Sequence, residues 1–269
     1  MLIQHIAIID RTGNIDPATL AQTAAALQKQ ATRDLGPIWG VKAIISAFPD
    51  LASVPVGYAP VIIMDQLDRP DLQGYHLDDN NQPYSLVLYG DSWQLTCSHE
   101  ICEILVDPSG NKTVTSGSKD PAQGRVQYLV EVSDPCQDIS FGYSVNGIWL
   151  SDFYTPNYFD PVTAPGVRYS FTGAITEPLQ VLQNGYLTWF NPDDGQWCQM
   201  KFFGDAPEIV KVEGMEAITG AIRCKIDRLT QNTHKKTLKR IHHKHITAIH
   251  SGEARARRWE QELKKHWTG

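Results

Sequence analysis

Short apolar runs separated by polar turns dominate the first 90 residues. Three of these runs are rich in β-branched residues and are bounded by Pro, Gly or Asp, which predicts strands at LIQHIAIID (2–10), WGVKAIISAF (39–48) and PVIIMDQL (60–67). The segment 82–90 instead alternates Tyr84, Leu86 and Leu88 against Ser85, Val87 and Tyr89. This period of two predicts a strand near the edge of a sheet.

Two longer stretches have the composition of helices. Residues 16–35 are rich in Ala and Leu and begin with Asp16 and Pro17, which are typical of a helix start, and Gly36-Pro37 is expected to end the helix. Residues 92–108 predict a second helix that stops at Pro108. The order strand, helix, three strands, helix predicts a mixed α/β fold of the α+β kind.

Beyond residue 108 the composition and the predicted secondary structure change along the chain. Residues 109–124 are rich in Ser, Thr and Gly and predict a loop, whereas 127–134 predict a strand. The chain to about residue 205 is aromatic and punctuated by Gly and Pro, and 206–269 predict broken helices. We therefore expect a body over 1–205 and a C-terminal helical extension over 206–269.

Charge divides the chain at a similar place. Residues 1–220 hold 11 Lys and Arg against 26 Asp and Glu, whereas 221–269 hold 13 against 4, together with six of the nine histidines. The tail is expected to dock on the acidic body or on a partner protein, or to bind a polyanion such as nucleic acid.

Apolar segments and cysteines bear on the compartment. There is no signal-peptide pattern and no apolar run near 18 residues, so no membrane association is expected. The five cysteines are scattered, form no C-x-x-C pair and are expected to be reduced thiols. These features predict a cytoplasmic protein, with a virion or particle component as the alternative.

The predicted helix over 92–108 carries an unusual line of polar residues. His99, Glu100, Glu103 and Asp107 fall within an arc of about 100° on a helical wheel, while apolar residues cover most of the remaining circumference. Between Arg69 and Lys112 the chain has seven acids and no Lys or Arg. Crowded carboxylates need a cation, and a bound metal ion would supply it.

The spacing within this line suits a hydrolytic metal site. His99 and Glu103, four residues apart, project side by side and can hold one ion. Glu100 points to the flank of that ion, where it can act as a general base toward water. The alternative is that the line is the solvated stripe of an ordinary amphipathic helix.

These residues resemble a known family. The stretch T-C-S-H-E-I-C-E-I-L-V-D-P (96–108) is similar to the zincin helix, with Glu103 where the usual motif has its second histidine. It is closer to a group of microbial and phage zincin-like proteins, in which a segment like Glu131-Val-Ser-Asp134-Pro-Cys follows downstream. The resemblance covers roughly residues 1–205. It implies a zincin-like mixed sheet with an active-site helix, a zinc-dependent metallopeptidase and a peptide or protein substrate.

The resemblance also implies a third protein ligand. Glu131 is the preferred residue, because a downstream glutamate is the gluzincin arrangement, and Asp134 would then orient His99. Asp107 and Asp134 are alternative ligands, and a bland interpretation makes Glu131 and Asp134 the exposed end of a strand. With Glu103 as a ligand, manganese or another divalent ion is an alternative to zinc.

Two further roles follow from the same resemblance. In the zincin fold an edge strand binds extended substrate, a role that 84–89 could fill. Tyr154 or Tyr158 could supply a hydroxyl that stabilises an oxyanion, although aromatic loops more often serve packing. The rival functions are a non-catalytic structural or assembly protein that retains the fold, and a polyanion-binding protein that acts through its tail.

Overall fold

The computed structural model describes residues 2–69, 72–79, 82–217, 220–230 and 251–266. The strands are β1 (Gln4–Asp10), β2 (Ala43–Phe48), β3 (Tyr58–Met64), β4 (Gly74–Asp79), β5 (Gln82–Leu88), β6 (Thr113–Gly117), β7 (Arg125–Leu129), β8 (Tyr143–Val145), β9 (Ile148–Leu150), β10 (Tyr186–Asn191), β11 (Gln196–Lys201) and β12 (Glu208–Val212). The α-helices are α1 (Pro17–Lys29), α2 (Gly36–Trp39), α3 (Trp93–Val106), α4 (Ile222–Leu229) and α5 (Ser251–Lys265). The protein is therefore a mixed α/β protein.

The first sheet has the strand order β2-β1-β3-β5-β4. Its first four strands are parallel, and β4 is antiparallel to β5 at the edge. The expectation that 84–89 binds substrate by strand addition is wrong, because β5 is already paired on both sides, with β3 and with β4. The edge is β4, which the apolar pattern did not identify.

Alternation along β1 gives this sheet two apolar faces. Ile6 and Ile8 face a core that contains α1 and α3, whereas Ala7 and Ile9 face a second core. The second core includes Trp259 and Leu263 of α5 as well as Ala221 and Cys224 from the α4 region. The C-terminal helices therefore cover the second face of the sheet.

The first helix runs further than predicted. Asp16 caps α1 by accepting hydrogen bonds from the amides of Ala18 and Thr19, but Gly36-Pro37 does not end the helical path. A π-helical turn over 30–35 leads directly into α2, and Gly40, with φ of 68°, ends it. Pro37 is tolerated because it lies in the first turn of α2, where it has no intrahelical hydrogen bond to lose.

The second sheet is antiparallel and has the order β12-β11-β10-β7-β6. Strand β6 lies inside the segment predicted as a loop, and β12 lies inside the segment predicted as helical, so both expectations are wrong there. The expected boundary at residue 205 falls between β11 and β12, which are paired along their length. Strands β8 and β9 form a separate hairpin.

The C-terminal segment forms helices at the two places where apolar residues recur at helical spacing, α4 and α5. Most of the histidine-rich stretch, residues 231–250, lies outside the described residues. No helix in the described part of the chain is long and apolar enough to cross a lipid bilayer.

Candidate metal centre

Helix α3 is buried on every side. From Leu95 to Val106 all of its residues are buried, and the exposed fractions are 7% for His99, 2% for Glu100 and 0% for Glu103. Ser98, on the flank away from the acidic line, is also buried and donates a hydrogen bond to Gln30. The interpretation of the acidic line as a solvated stripe is therefore wrong.

One group of donor atoms gathers around His99. Its Nε2 lies 3.2 Å from Oε1 of Glu103 and 3.2 Å from Oδ1 of Asp134. Asp134 opens a 3-10 turn, is 1% exposed, and its Oδ1 has no hydrogen-bond partner. These three residues offer ligand atoms that lie within 4.8 Å of one another.

The spacing of these atoms fits a small divalent ion. Zinc binds imidazole nitrogen and carboxylate oxygen at about 2.0–2.2 Å, so tetrahedral ligands lie roughly 3.3–3.5 Å apart. The two distances from His99 are close to that value. The one-nitrogen, two-oxygen donor set suits zinc and also harder ions such as manganese.

A second group of donors shares Glu103. His76 on β4 places Nδ1 3.3 Å from Oε2 of Glu100 and 3.5 Å from Oε2 of Glu103. Gly74 allows this approach of β4 to α3, because a Cβ at that position would lie 2.5 Å from the Thr96 methyl group. Glu103 is thus the carboxylate that both histidines contact.

Arg223 of α4 supplies the cation that the local sequence lacks. Its Nη1 is paired with Oδ2 of Asp134 and lies 2.8 Å from Oε2 of Glu131. Its Nη2 donates to the hydroxyl of Tyr186 at 3.0 Å and lies 3.8 Å from Oε2 of Glu103. The acidic line is therefore not without a basic partner, and charge alone no longer requires a metal ion.

The electrostatics of the cluster centre on Glu103. Burial opposes its ionisation, but His99 and Arg223 hold its pKa well below the usual range. Burial acts against the charge of His99 as well, yet Glu103 and Asp134 raise its pKa well above the ordinary value. Hydrogen bonds to Glu100 and Glu103 likewise outweigh burial and raise the pKa of His76 to about 9.

The carboxyl groups of Glu100 and Glu131 differ from that of Glu103 because their pKa values are raised. Burial raises the pKa of Glu100, and the contact with His76 only partly opposes this shift. Burial also raises the pKa of Glu131 well above its usual range, despite Arg223. Although Oε2 of Glu131 is close to Arg223, neither oxygen of this side chain makes a well-aligned hydrogen bond. Ion pairing therefore does not compensate Glu131 for its desolvation.

The remaining predicted residues lie near the cluster in different roles. Glu131 follows the end of β7 and is 4% exposed, so it is not an exposed strand end, and it contacts Arg223 rather than joining the His99 donor group. Asp107 accepts hydrogen bonds from the amide of Lys112 and from Ser109, and so braces the loop after α3. Asp134, one of the two alternative ligands, is the carboxylate that lies beside His99 and Glu103.

The two tyrosines of the aromatic loop are stacked, with ring centroids 4.3 Å apart. The hydroxyl of Tyr158 donates to the carbonyl oxygen of Gln180, so it is already engaged. The buried hydroxyl of Tyr154 has no hydrogen-bond partner. Burial raises the pKa of Tyr154 well above its ordinary value, and the charges of Glu131, Glu103 and Asp134 add to this shift. Tyr154 therefore keeps a free hydroxyl close to the acidic cluster.

Sequence reasoning missed His76 and Arg223. The segment GYHLDDNNQPY alternates apolar and polar residues on both sides of Asp79-Asn80-Asn81, which is a hairpin signal that could have identified β4 and placed His76 on the face opposite Tyr75. For Arg223 no such signal exists, because it is one of many basic residues in the C-terminal segment.

Comparisons with protein-family models, with curated proteins and with solved structures return no match to this chain.

Proposed function

We propose that this protein is a zinc-dependent hydrolase of peptide bonds that holds its ion with His99, Glu103 and Asp134. The observation that carries the proposal is the convergence of two carboxylate oxygens, from Glu103 and from the separate segment of Asp134, each 3.2 Å from the His99 nitrogen. The resemblance of residues 96–108 to the zincin helix supports the same function, as does an antiparallel edge strand beside that helix.

One oxygen of the cluster fits a bound cation. Oδ1 of Asp134 is buried without a hydrogen-bond partner, and such an atom is costly to leave unpaired. Arg223 contacts Oδ2 of Asp134, so it leaves Oδ1 directed at His99. An ion between His99 and the two carboxylates would satisfy this Asp134 oxygen, which the protein alone leaves without a hydrogen bond.

The chain supplies the other catalytic groups. His99, Glu103 and Asp134 would hold a divalent ion, which would supply an activated water molecule and polarise a substrate carbonyl group. Glu100, next to the ligand His99 and with a pKa raised by burial, is suited to accept a proton from that water. His76 holds the Glu100 carboxyl at 3.3 Å. Tyr154 carries a free buried hydroxyl that can donate to a developing oxyanion.

Metal analysis of the purified protein tests this proposal. The wild type should bind about one zinc ion per chain, and His99→Ala should lose it because the central nitrogen donor is removed. Glu100→Gln should keep the ion and lose peptide hydrolysis. A wild type that binds neither zinc nor manganese after dialysis against each metal, and that is equally stable without them, would contradict the proposal and favour a structural or assembly protein.

A matched pair of variants tests the choice of the third ligand. Asp134→Asn should weaken zinc binding at least tenfold, because the uncharged amide is a poor ligand. Glu131→Gln should keep affinity close to that of the wild type, because Glu131 contacts Arg223 and not His99. Isothermal titration with zinc measures both affinities. The reverse order would make Glu131 the ligand.

A further inference from the structure

The proposed metal site is closed in this structure. Its three donor residues are at most 7% exposed, so an extended peptide has no path to them. Helix α4 lies against this region: its Cys224 Sγ is 4.0 Å from the carbonyl oxygen of His76 on the edge strand β4. That this closed site opens and admits a peptide rests on the proposed function.

Helix α4 is held by backbone contacts in its first turn and by the buried side chains of Cys224 and Ile226. The amide of Ile222 donates to the side chain of Asn111, and the amide of Arg223 donates to the carbonyl oxygen of Gly110. Gly110, with φ of 61°, allows the close approach, because a Cβ there would lie 3.1 Å from Cβ of Arg223. These contacts place the Arg223 side chain in the acidic cluster.

Apart from Asp227 of α4, whose carboxylate lies 3.1 Å from Nε of Arg223, the pocket around this arginine is built by the body of the protein. Glu131 and Asp134 face one terminal nitrogen, Nη1. The hydroxyl of Tyr186 on β10 accepts from the other, Nη2, and its ring lies 5.8 Å from the guanidinium carbon. The pocket therefore contacts both terminal nitrogens of a planar guanidinium. An ammonium group has a single nitrogen and could not make both sets of contacts.

The pocket is also continuous with the proposed metal site. Asp134 binds Arg223 through Oδ2 and faces His99 through Oδ1. Glu103 faces His99 through Oε1 and lies near Arg223 through Oε2. An arginine side chain in the pocket therefore lies immediately beside the metal donors.

We infer that this pocket is an arginine-binding subsite for peptide ligands, and that Arg223 fills it in cis and keeps the proposed metal site closed. When α4 moves away from the acidic cluster, the pocket binds a peptide segment that carries an arginine. The carboxylates left by Arg223 would then be paired by the guanidinium of the incoming peptide, so the buried charge stays compensated in both states.

The test uses the full-length chain with Arg223→Ala, and Arg228→Ala as the matched control. Arg228 lies on the same helix and is exposed. The probes are two fluorescent peptides that are identical except for one arginine or its neutral analogue citrulline. In fluorescence anisotropy, Arg223→Ala should bind the arginine peptide at least tenfold more tightly than it binds the citrulline peptide. Wild type and Arg228→Ala, in which Arg223 fills the pocket, should bind the arginine peptide at least tenfold more weakly than Arg223→Ala does, and without preference over the citrulline peptide.

A second variant keeps the test informative if Arg223→Ala does not fold. Arg223→Lys keeps a positive charge near the acids but cannot contact both sides of the pocket, so it should bind the arginine peptide with intermediate affinity. Equal binding of the two peptides by both variants overturns the inference. Absence of binding also overturns the inference. Unfolding of both variants, measured by circular dichroism, does so as well, because a side chain that leaves its pocket when the site opens cannot be essential to folding.

Hydrolysis assays of the same zinc-loaded variants separate this inference from the proposed function. If Arg223→Ala binds the arginine peptide selectively but cleaves no peptide, the subsite stands and the peptidase proposal fails. If it cleaves both peptides at equal rates, the peptidase proposal stands and the arginine subsite fails.

Discussion

The buried cluster has two sides that meet at Glu103 and are neutralised in different ways. On one side, His99 and His76 face carboxylates, and their charge depends on pH and on metal binding. On the other side, Arg223 faces Glu131 and Asp134 with a charge that persists at every accessible pH. A metal ion can replace the protons of the first side, whereas only another strong cation can replace Arg223.

This difference separates two interpretations of an acidic cluster that look alike in sequence. If Arg223 and the protonated histidines compensate all the carboxylates, the cluster is a structural ion network. If the histidine side is completed by a divalent ion, the cluster is a catalytic centre with a structural flank. Measurements that address each side separately can distinguish the two.

The largest effect is expected at Glu103. In metal-free protein, Glu103→Gln should lower the free energy of unfolding by about 3–5 kcal/mol, because it breaks buried ion pairs on both sides at once. Glu131→Gln should cost less, within about 1 kcal/mol, since burial raises the pKa of this carboxyl and opposes its charge, and glutamine has a similar shape. Urea denaturation in the presence of a chelator measures both. Equal losses would mean that the two carboxyl groups are equally ionised.

The histidine side should make the metal-free protein sensitive to alkali. The folded pKa of His76 is raised to about 9, above its unfolded value, so its contribution is fully present below about pH 6.5 and is lost as pH rises through 9. The shift corresponds to about 3 kcal/mol. Urea denaturation between pH 6 and 9.5 should show a smaller decline for His76→Asn than for the wild type. Parallel curves would show that His76 is not held protonated by Glu100 and Glu103.

The smallest effect is expected away from the cluster. Arg11 and Glu260 form an ion pair that joins α5 to the loop after β1, with side chains 31% and 37% exposed. Glu260→Gln should lower the free energy of unfolding by only about 0.5 kcal/mol, and less at high salt, because solvent screens the pair. Chemical denaturation at low and high salt measures the change. A loss as large as that of Glu103→Gln would remove the distinction between buried and exposed pairs.

Local patterns predicted much of the first sheet and its helices. The apolar runs at 2–10 and 60–67 correspond to β1 and β3, and the capping signal at Asp16 corresponds to the start of α1. Periodicity at four residues placed His99 and Glu103 side by side on α3. These features depend on neighbours in sequence, so the sequence determines them. Ends of elements were less predictable, because pairing partners decide where β7 stops and β12 begins.

The sequence by itself determined that a helix would carry a histidine and several carboxylates along one line, because helical spacing is a local property. Only the tertiary structure decided what surrounds that line. The turn after β7 brings Asp134 to His99, the hairpin of β4 and β5 brings His76 to Glu100, and α4 brings Arg223 from 120 residues beyond Glu103. Long-range charge pairs depend on burial and chain crossing, which the order of residues along the chain does not reveal.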